Sequence, residues 1–522
     1  MGSIKKLCIL LTIVMLFTSV IGGCKSREKS RPSAADTGKS AAATAKTSPR
    51  AVTAARSTAP FKTGSGTGTE SEIQGNVNTE EPDENMTGGD EETSGSGTGF
   101  AEDIRDLHGR TIRILVWRGA AAQPGSAFYE QEFHILYKSF KETEQRFNCK
   151  FEWVGMPTWN LEITNTILAG KGPYDIYLMN HYVMFPQYVA RGWALPIDEY
   201  YDFKNDPKWN LPENKDSNYW NGKKYAISDA AMAPGYALWY NRDLLDQSGV
   251  SDFWTYYDQG RWNWETFLEA MINLTHDVNG DGLLDQWGIA EGTWAGFMIS
   301  NGGQPMDMTD PLNPKFNMFD AKCMKALSFV SELYFIHNVI PTEYSALRGS
   351  SFNAMFTGKI ASYAYHSAYG NRLAQEGIKN IGWVYMPKGP DADDYYIRTA
   401  TLPDAYTVFP YAENKEDLVA AFQDAFAYWN PNKSCYTTPE DKLKLDFDNP
   451  ALYFPDDRAR QLYLTGSLNT RCCYLLNFGM GDNWMESNLY SKLRTRQKTV
   501  ISGLEALAPL AQNLIAGRIG GT

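Results

Sequence analysis

Apolar positions along this chain keep two periods, and their alternation predicts its architecture. Residues 111–117 (Thr-Ile-Arg-Ile-Leu-Val-Trp) read as a first buried strand, and 128–147 follow with helical spacing of Phe133, Leu136, Tyr137 and Phe140. Residues 150–156 read as a second strand, 161–169 as a helix and 174–179 as a third strand. Strands alternating with helices of this length predict a parallel sheet with crossover helices. Short strand-like pieces come next at 225–227 and 237–240. A helix over 264–274 follows, with Asn263 as its cap. Further helices are predicted over 327–337, 351–356 and 415–429, and 489–516 is mostly helical by period.

The N-terminal pattern is different. Lys5 and Lys6 precede an apolar run over 7–21, too short for a comfortable membrane span, which closes on Ile21-Gly22-Gly23-Cys24. Residues 1–23 are expected to be a lipoprotein signal peptide, leaving Cys24 as a diacylated N-terminus; an ordinary secretory cleavage is the alternative. Two acyl chains suffice for stable anchoring. Residues 24–100 are rich in Ser, Thr, Ala, Gly and Pro and cannot bury enough apolar surface to fold, so they are expected to form a disordered tether.

About 420 residues remain, enough for two large domains or one of unusual size. The net charge of −12 argues against a nucleic-acid partner. Aromatic content is 13%, and many Trp and Tyr stand in polar surroundings, which favours sites needing flat amphipathic surfaces. Cys149, Cys323, Cys435, Cys472 and Cys473 show no metal-type spacing; a Cys435 disulfide to Cys472 or Cys473 is left open.

One loop carries specific chemistry. Residues 277–288 read Asp-Val-Asn-Gly-Asp-Gly-Leu-Leu-Asp-Gln-Trp-Gly, placing Asp277, Asn279, Asp281 and Asp285 at positions 1, 3, 5 and 9 of a calcium loop, with Gly282 at the sharp turn. Position 12, where a bidentate glutamate would stand, is Gly288. The expectation is a structural calcium held by those four residues, or a metal-free Asx-rich turn. No cofactor is required.

Four ordered stretches resemble the extracellular solute-binding proteins of family 1, the sugar-binding lipoproteins of ABC importers. Ala169-Gly-Lys-Gly-Pro-Tyr-Asp-Ile-Tyr with Gly192-Trp-Ala-Leu-Pro-Ile-Asp resembles the entry into and exit from the family's third strand. Tyr225-Ala-Ile and Tyr236-Ala-Leu-Trp-Tyr-Asn-Arg-Asp-Leu-Leu resemble its crossing segment. Trp264-Glu-Thr-Phe-Leu-Glu-Ala through Asp277–Gly288 resembles "Trp-Asp-Glu-Phe-Leu … Asp-x-Asn-Gly-Asp-Gly", and Phe356-Thr-Gly-Lys-Ile-Ala with the segment 383–390 resembles "Phe-x-x-Gly-Lys-Ala-Ala-Met" and "Pro-x-Gly-Pro". The likeness spans roughly 108–430. Departures include Ile360-Ala361-Ser362 after the lysine and His366-Ser-Ala-Tyr369 where the family often stacks a tryptophan.

The resemblance implies an α/β, two-lobed periplasmic-binding-protein-like fold of type II, with the ligand cleft between lobes. Residues 108–235 would open lobe 1 and 240–380 lobe 2; 385–430 would return to lobe 1, and 431–522 would complete lobe 2. It also implies a receptor for an oligosaccharide that partners ABC permease subunits. Ligands of open α/β sheets lie beyond the carboxyl ends of strands, and sugars need aromatic platforms beside polar side chains. Trp117 and Arg118 end the first strand; Asn180 and Tyr182 follow the third. Tyr236 and Trp239 lie on the crossing segment, where alternation lets at most one face ligand. Trp294 follows the calcium-like loop as a cleft wall, and Tyr365, His366 and Tyr369 occupy the second-lobe platform, with one of these three expected in the core. Trp159 is a weaker candidate. Each of these aromatics has a core or packing role as its alternative, and Asn180 a helix-cap role.

Two rival functions remain. A surface carbohydrate-active enzyme would need two carboxylates facing across a bond, but no Gly-x-Ser-x-Gly, His-Glu-x-x-His or phosphate loop occurs. A receptor presenting ligand to a membrane sensor is the other.

Overall fold

The computed structural model describes residues 102–117, 134–209, 218–228, 235–290, 294–342, 351–366, 369–399, 402–438, 441, 454–466 and 469–520. These lie within one contact unit, Glu92–Thr522. The expected signal peptide, Cys24 and the tether fall outside the described residues, as does Arg118.

Leaving two short hairpins aside, the strands in chain order are β1 (Arg110–Val116), β2 (Cys149–Gly155), β3 (Ile176–Met179), β4 (Ile227–Ser228), β5 (Tyr236–Asn241), β6 (Trp287–Ile289), β7 (Ile360–His366), β8 (Ile381–Val384), β9 (Ile397–Thr399), β10 (Ala405–Val408) and β11 (Thr470–Cys472). The principal helices are α1 (His134–Arg146), α2 (Trp159–Ala169), α3 (Trp264–Asn273), α4 (Trp294–Ser300), α5 (Ala321–Phe335), α6 (Lys415–Phe426), α7 (Asp457–Gly466) and α8 (Val500–Ile519).

The first lobe is built on a five-stranded sheet in the order β2-β1-β3-β10-β4. β1 runs parallel to β2 and β3, while β10 is antiparallel to β3 and β4. Both faces of this sheet are covered, so its central strands read as unbroken apolar runs: all four residues of β3 are buried. Phe140 of α1 packs on Trp153 of β2 at 5.4 Å and on Phe426 of α6 at 5.2 Å, joining sheet and helices.

The second lobe holds a six-stranded sheet, β11-β9-β5-β7-β6, with β8 also on β5. β8 and β9 follow one another along the same flank of β5, pairing with residues 238–241 and with Tyr236 respectively. The chain crosses between the sheets three times: between β4 and β5, between β9 and β10, and between α6 and α7.

Several elements lie where the sequence pattern put them. Asn263 caps α3 through a reciprocal pair with Thr266, and α1, β1, β2 and β3 fall within two residues of the expected segments, apart from 128–133, which lies outside the described residues. Others differ. α5 begins at Ala321, six residues before the expected 327, because Asp320 accepts from the amides of Lys322 and Cys323. The return to the first lobe follows Thr399 rather than 385: β9 is hydrogen-bonded into the second sheet, and Tyr385 and Met386 belong to its core. Residues 428–433 still pack on the first lobe; from Phe454 onward the chain completes the second core. All five cysteines named above are free, and burial pushes the Cys149 and Cys323 thiols up to about 12.

Candidate functional site

Strand pairing alone gathers one cluster of side chains at the lobe crossing. Tyr236, the first residue of β5, is opposite His366 at the end of β7 and opposite Arg398 of β9. Three neighbouring strands therefore present their side chains at one end of the second sheet, next to two crossings. The Tyr236 ring meets Tyr365 edge-on at 6.0 Å and His366 at 6.3 Å, while Arg398 Cζ lies 4.2 Å from its centre. Arg398 Nη2 pairs with Asp482 Oδ1 at 2.7 Å; the arginine side chain is 4% exposed and the aspartate 57%. Arg398 Nε is buried with no hydrogen-bond partner among the described residues.

Electrostatics follow from this burial. Burial is the largest influence on Arg398 and disfavours its cation, but Asp482 together with Cys473, Tyr236 and Tyr490 outweighs it and the guanidinium stays charged. Tyr236 is pushed up to about 12 by burial, against the pull of Arg398. His366 has solvent-accessible surface yet is surrounded by protein, and the resulting desolvation lowers its pKa below the ordinary histidine value. The cluster thus offers a neutral phenol and a neutral imidazole at pH 7 beside an ion pair of a buried arginine and a half-exposed aspartate.

Strand ends of the first sheet bring a second polar set. Met179 of β3 pairs with Ala405 of β10, so Asn180 and Asp404 are neighbours, and Asn180 Nδ2 donates to Asp404 Oδ1 at 2.8 Å. Asn180 stands at the N-cap of a short helix, His181–Val183, but makes no capping bond with its side chain. Tyr182 is half-buried; desolvation raises its pKa first, Asp404 raises it further and Arg518 opposes. Trp117 is half-buried against the first core.

The lobes touch below these residues. Asn477 Nδ2 donates to Phe185 O at 2.9 Å and lies 3.3 Å from His181 Nδ1, and Arg518 donates to Gln187. His181 is 3% exposed, stacked on Phe185 at 4.5 Å, and burial drives its pKa down to about 3.

Of the residues expected at the site, Tyr236, Tyr365 and His366 are brought together, while Asn180 and Tyr182 lie at the first-lobe strand ends. Trp294, expected as a cleft wall, is core instead, and Tyr369 is the one of the platform trio that joins the core. Trp294 opens α4, is 2% exposed, and has Tyr490 (5.3 Å, 4°) and Tyr334 (5.8 Å, 19°) nearly parallel to its ring, which leaves it no open platform. Tyr369, also 2% exposed, is enclosed by Phe356, Tyr363, Tyr365 and Trp239. Trp239 is fully buried with Nε1 on His366 O at 3.1 Å, so alternation along β5 leaves Tyr236 alone in the cluster. Trp159 packs at the margin of the first core.

Sequence reasoning missed Arg398, Asp404, Asn477 and Asp482. Only Arg398 carried a signal, as a charge inside a short strand-like run, Ile397-Arg398-Thr399.

The 277–288 loop closes on itself. Asp277 Oδ1 accepts from the amides of Asn279 and Gly280, and Oδ2 from Gly282 at 2.6 Å. Asp281 accepts from Leu283, and Asp285 lies 3.9 Å from Lys359 Nζ. Gly288 abuts α3 so closely that a Cβ would stand 2.8 Å from Met271 Cα and O, which forbids a twelfth-position carboxylate. Among the described residues no three His, Cys, Asp or Glu side chains converge as a metal ion would require.

A family model described as bacterial extracellular solute-binding protein matches residues 115–427. Among curated proteins no sequence matches. Solved structures share the fold. MalE, the sugar-binding protein of Xanthomonas citri, is 13% identical with a TM-score of 0.55, covering 78% of this chain and 98% of that one. UspC of M. tuberculosis is 16% identical with a TM-score of 0.54, covering 77% and 100%. A cyclo/maltodextrin-binding protein complexed with maltotetraose is 13% identical with a TM-score of 0.54, covering 79% and 99%.

Proposed function

The chain belongs to the bacterial extracellular solute-binding protein family, and from that premise we propose that it is a lipid-anchored receptor on the outer face of the cell membrane. It binds an oligosaccharide by closing its lobes and delivers it to the permease subunits of an ABC importer. One observation carries the ligand class: Tyr236 holds an aromatic ring between Arg398–Asp482 and the Tyr365–His366 edge. A sugar presents apolar C–H faces and a rim of hydroxyls, and this cluster supplies a ring and charged hydrogen-bonding groups side by side. The Asn180–Asp404 pair adds an amide and a carboxylate from the first lobe, and hydroxyls can donate to one and accept from the other. Crossing segments at three points suit hinge closure of one lobe on the other. The relatives solved with maltotetraose and as a sugar-binding MalE support the same reading.

The test is thermal unfolding of the exported chain against maltodextrins, monosaccharides, amino acids, peptides and polyamines. A bound saccharide stabilises by RT ln(1 + [L]/Kd), roughly 2.7 kcal/mol at 100 times Kd. A shift with a peptide or polyamine and none with any saccharide would overturn the ligand class. Radiolabelled palmitate incorporation, lost in Cys24→Ala, tests the anchor.

A further inference from the structure

The first described residues enter the fold along one edge of the first lobe. Leu107 is buried in its core with its amide on Phe147 O at 2.8 Å, and Gly109 N reaches Asn148 O at 2.7 Å. Ahead of them Glu102 pairs with Arg146 at 2.5 Å, and Arg105 pairs with Asp417 at 3.1 Å and Glu416 at 3.4 Å. Arg146 ends α1, Asn148 directly precedes β2, and Glu416 and Asp417 stand in the first turn of α6. This edge is therefore the amino end of β1 and β2. Backbone bonds and a buried side chain hold the chain there, with ion pairs beside them.

The polar pair assigned to the first-lobe side of the cleft is at the other end. Asn180 follows the carboxyl end of β3, which runs parallel to β1, and Asp404 is bonded to it there. β1 alone is 7 residues long, about 23 Å at roughly 3.3 Å per residue. The preceding chain thus leaves the lobe on the side turned away from the cleft. A receptor anchored close to this edge would hold its cleft away from the lipid. The sequence supplies length instead, because Cys24 stands 78 positions before Glu102.

Resting on the reading that Cys24 is lipidated and that the ligand passes to a membrane permease, we propose that the stretch from Cys24 to Ala101 is a leash. Its length lets the cleft side of the receptor turn to face the membrane. A polar coil of this length has an r.m.s. span of about 45–55 Å, from roughly 5–6 Å times the square root of the residue number. A folded body of about 420 residues has a radius of gyration of about 22 Å, and so measures roughly 50–60 Å across. Leash and body match, and effective concentration at a fixed partner is greatest when linker and span agree. A leash of about 15 residues covers about 50 Å only when fully extended. Charge favours the same role: positions 70–92 hold nine acidic residues and no basic one. Like charges extend a linker, and the net charge of −12 repels it from the body.

Energy transfer from the full lipidated chain to an acceptor in vesicle bilayers tests this geometry without a ligand. A fluorescent residue replaces His108, 85% exposed on the entry edge, or Thr158, exposed just past the carboxyl end of β2. With the native leash the two positions transfer with comparable efficiency. With residues 35–97 deleted, position 108 transfers strongly and position 158 falls well below it. A Gly-Ser leash of native length restores the native pattern. Comparable efficiencies in the shortened chain, or a strong preference for position 108 in the native one, would overturn the leash. Uptake of labelled maltotetraose by cells carrying each chain is expected with the native and Gly-Ser leashes and lost with the short one, while thermal stabilisation by the sugar is unchanged. Uptake at the native rate on the short leash would also overturn the proposal. No uptake by any chain, with energy transfer as expected, would leave the leash standing and defeat the import reading instead.

Discussion

The guanidinium of Arg398 lies over Tyr236 with its central carbon 4.2 Å from the ring centre, while the same group reaches Asp482 at 2.7 Å. Two strands and the C-terminal segment are thereby locked at the edge of the cleft. Arg398 is the desolvated member of the pair and Asp482 the half-exposed one, so the two respond differently to substitution.

Arg398→Met removes a charged donor from the cluster. Saccharide affinity is expected to fall roughly tenfold to a hundredfold, the range for a hydrogen bond to a charged group. Asp482→Asn should weaken binding less but lower the unfolding midpoint, because it leaves the buried guanidinium without its carboxylate. Titration calorimetry with a maltodextrin reads the first effect and thermal unfolding the second; equal affinities in all three proteins would remove Arg398 from the site.

Trp294→Ala tests whether this ring is wall or core. Truncating a buried Trp costs about 3–5 kcal/mol, read as a lower urea midpoint. Saccharide affinity per folded molecule should stay unchanged. A weakened ligand with unaltered stability would return Trp294 to the cleft.

His181 gives a pH dependence with a definite sign. Its folded pKa, about 3, is depressed below the unfolded value near 6.5, so the folded state binds the proton more weakly. Its contribution to stability is complete above pH 6.5 and is lost as pH falls from there toward 3, by about 1.4 kcal/mol per pH unit. His181→Phe loses the Asn477 contact and is less stable at pH 7, but its stability should fall less steeply between pH 6.5 and 4.5. Parallel denaturant curves for both proteins across that range would show that His181 is not held neutral.

Lys433 is buried in the first lobe, with Nζ on Ser139 Oγ at 2.8 Å, Thr143 Oγ1 at 3.1 Å and Asp424 Oδ2 at 3.2 Å. Burial lowers its pKa despite Asp424. Lys433→Met leaves Asp424 with Arg146 alone as a cation and should cost about 3–5 kcal/mol, measured by urea unfolding. Lys433→Met paired with Asp424→Leu should recover part of that loss.

For the 277–288 loop, thermal midpoints in calcium and in chelator are expected to coincide. A rise in calcium that disappears in Asp281→Asn would establish a metal site there.

Period and composition alone determined the alternating strands and helices of 110–179 and the Asn263 cap of α3, because those features are local and depend on spacing within one element, whereas the two-lobed class came from the family resemblance. Strand alternation also put Tyr236 and Trp239 on different faces, and the full burial of Trp239 in the structure decided which of them turns inward. Tertiary structure decided the rest. β8, β9 and β10 are only three or four residues long, too short to show a period, so the lobe boundary moved from 385 to 399. Trp294 and Tyr369 have the same local surroundings as any exposed aromatic, and only the arrival of Tyr490 and Phe356 from distant segments makes them core. Arg398 and Asp482 are 84 positions apart, and nothing in either neighbourhood reveals the other. Long-range pairing of charges is invisible to spacing, and the cluster is built from such pairs.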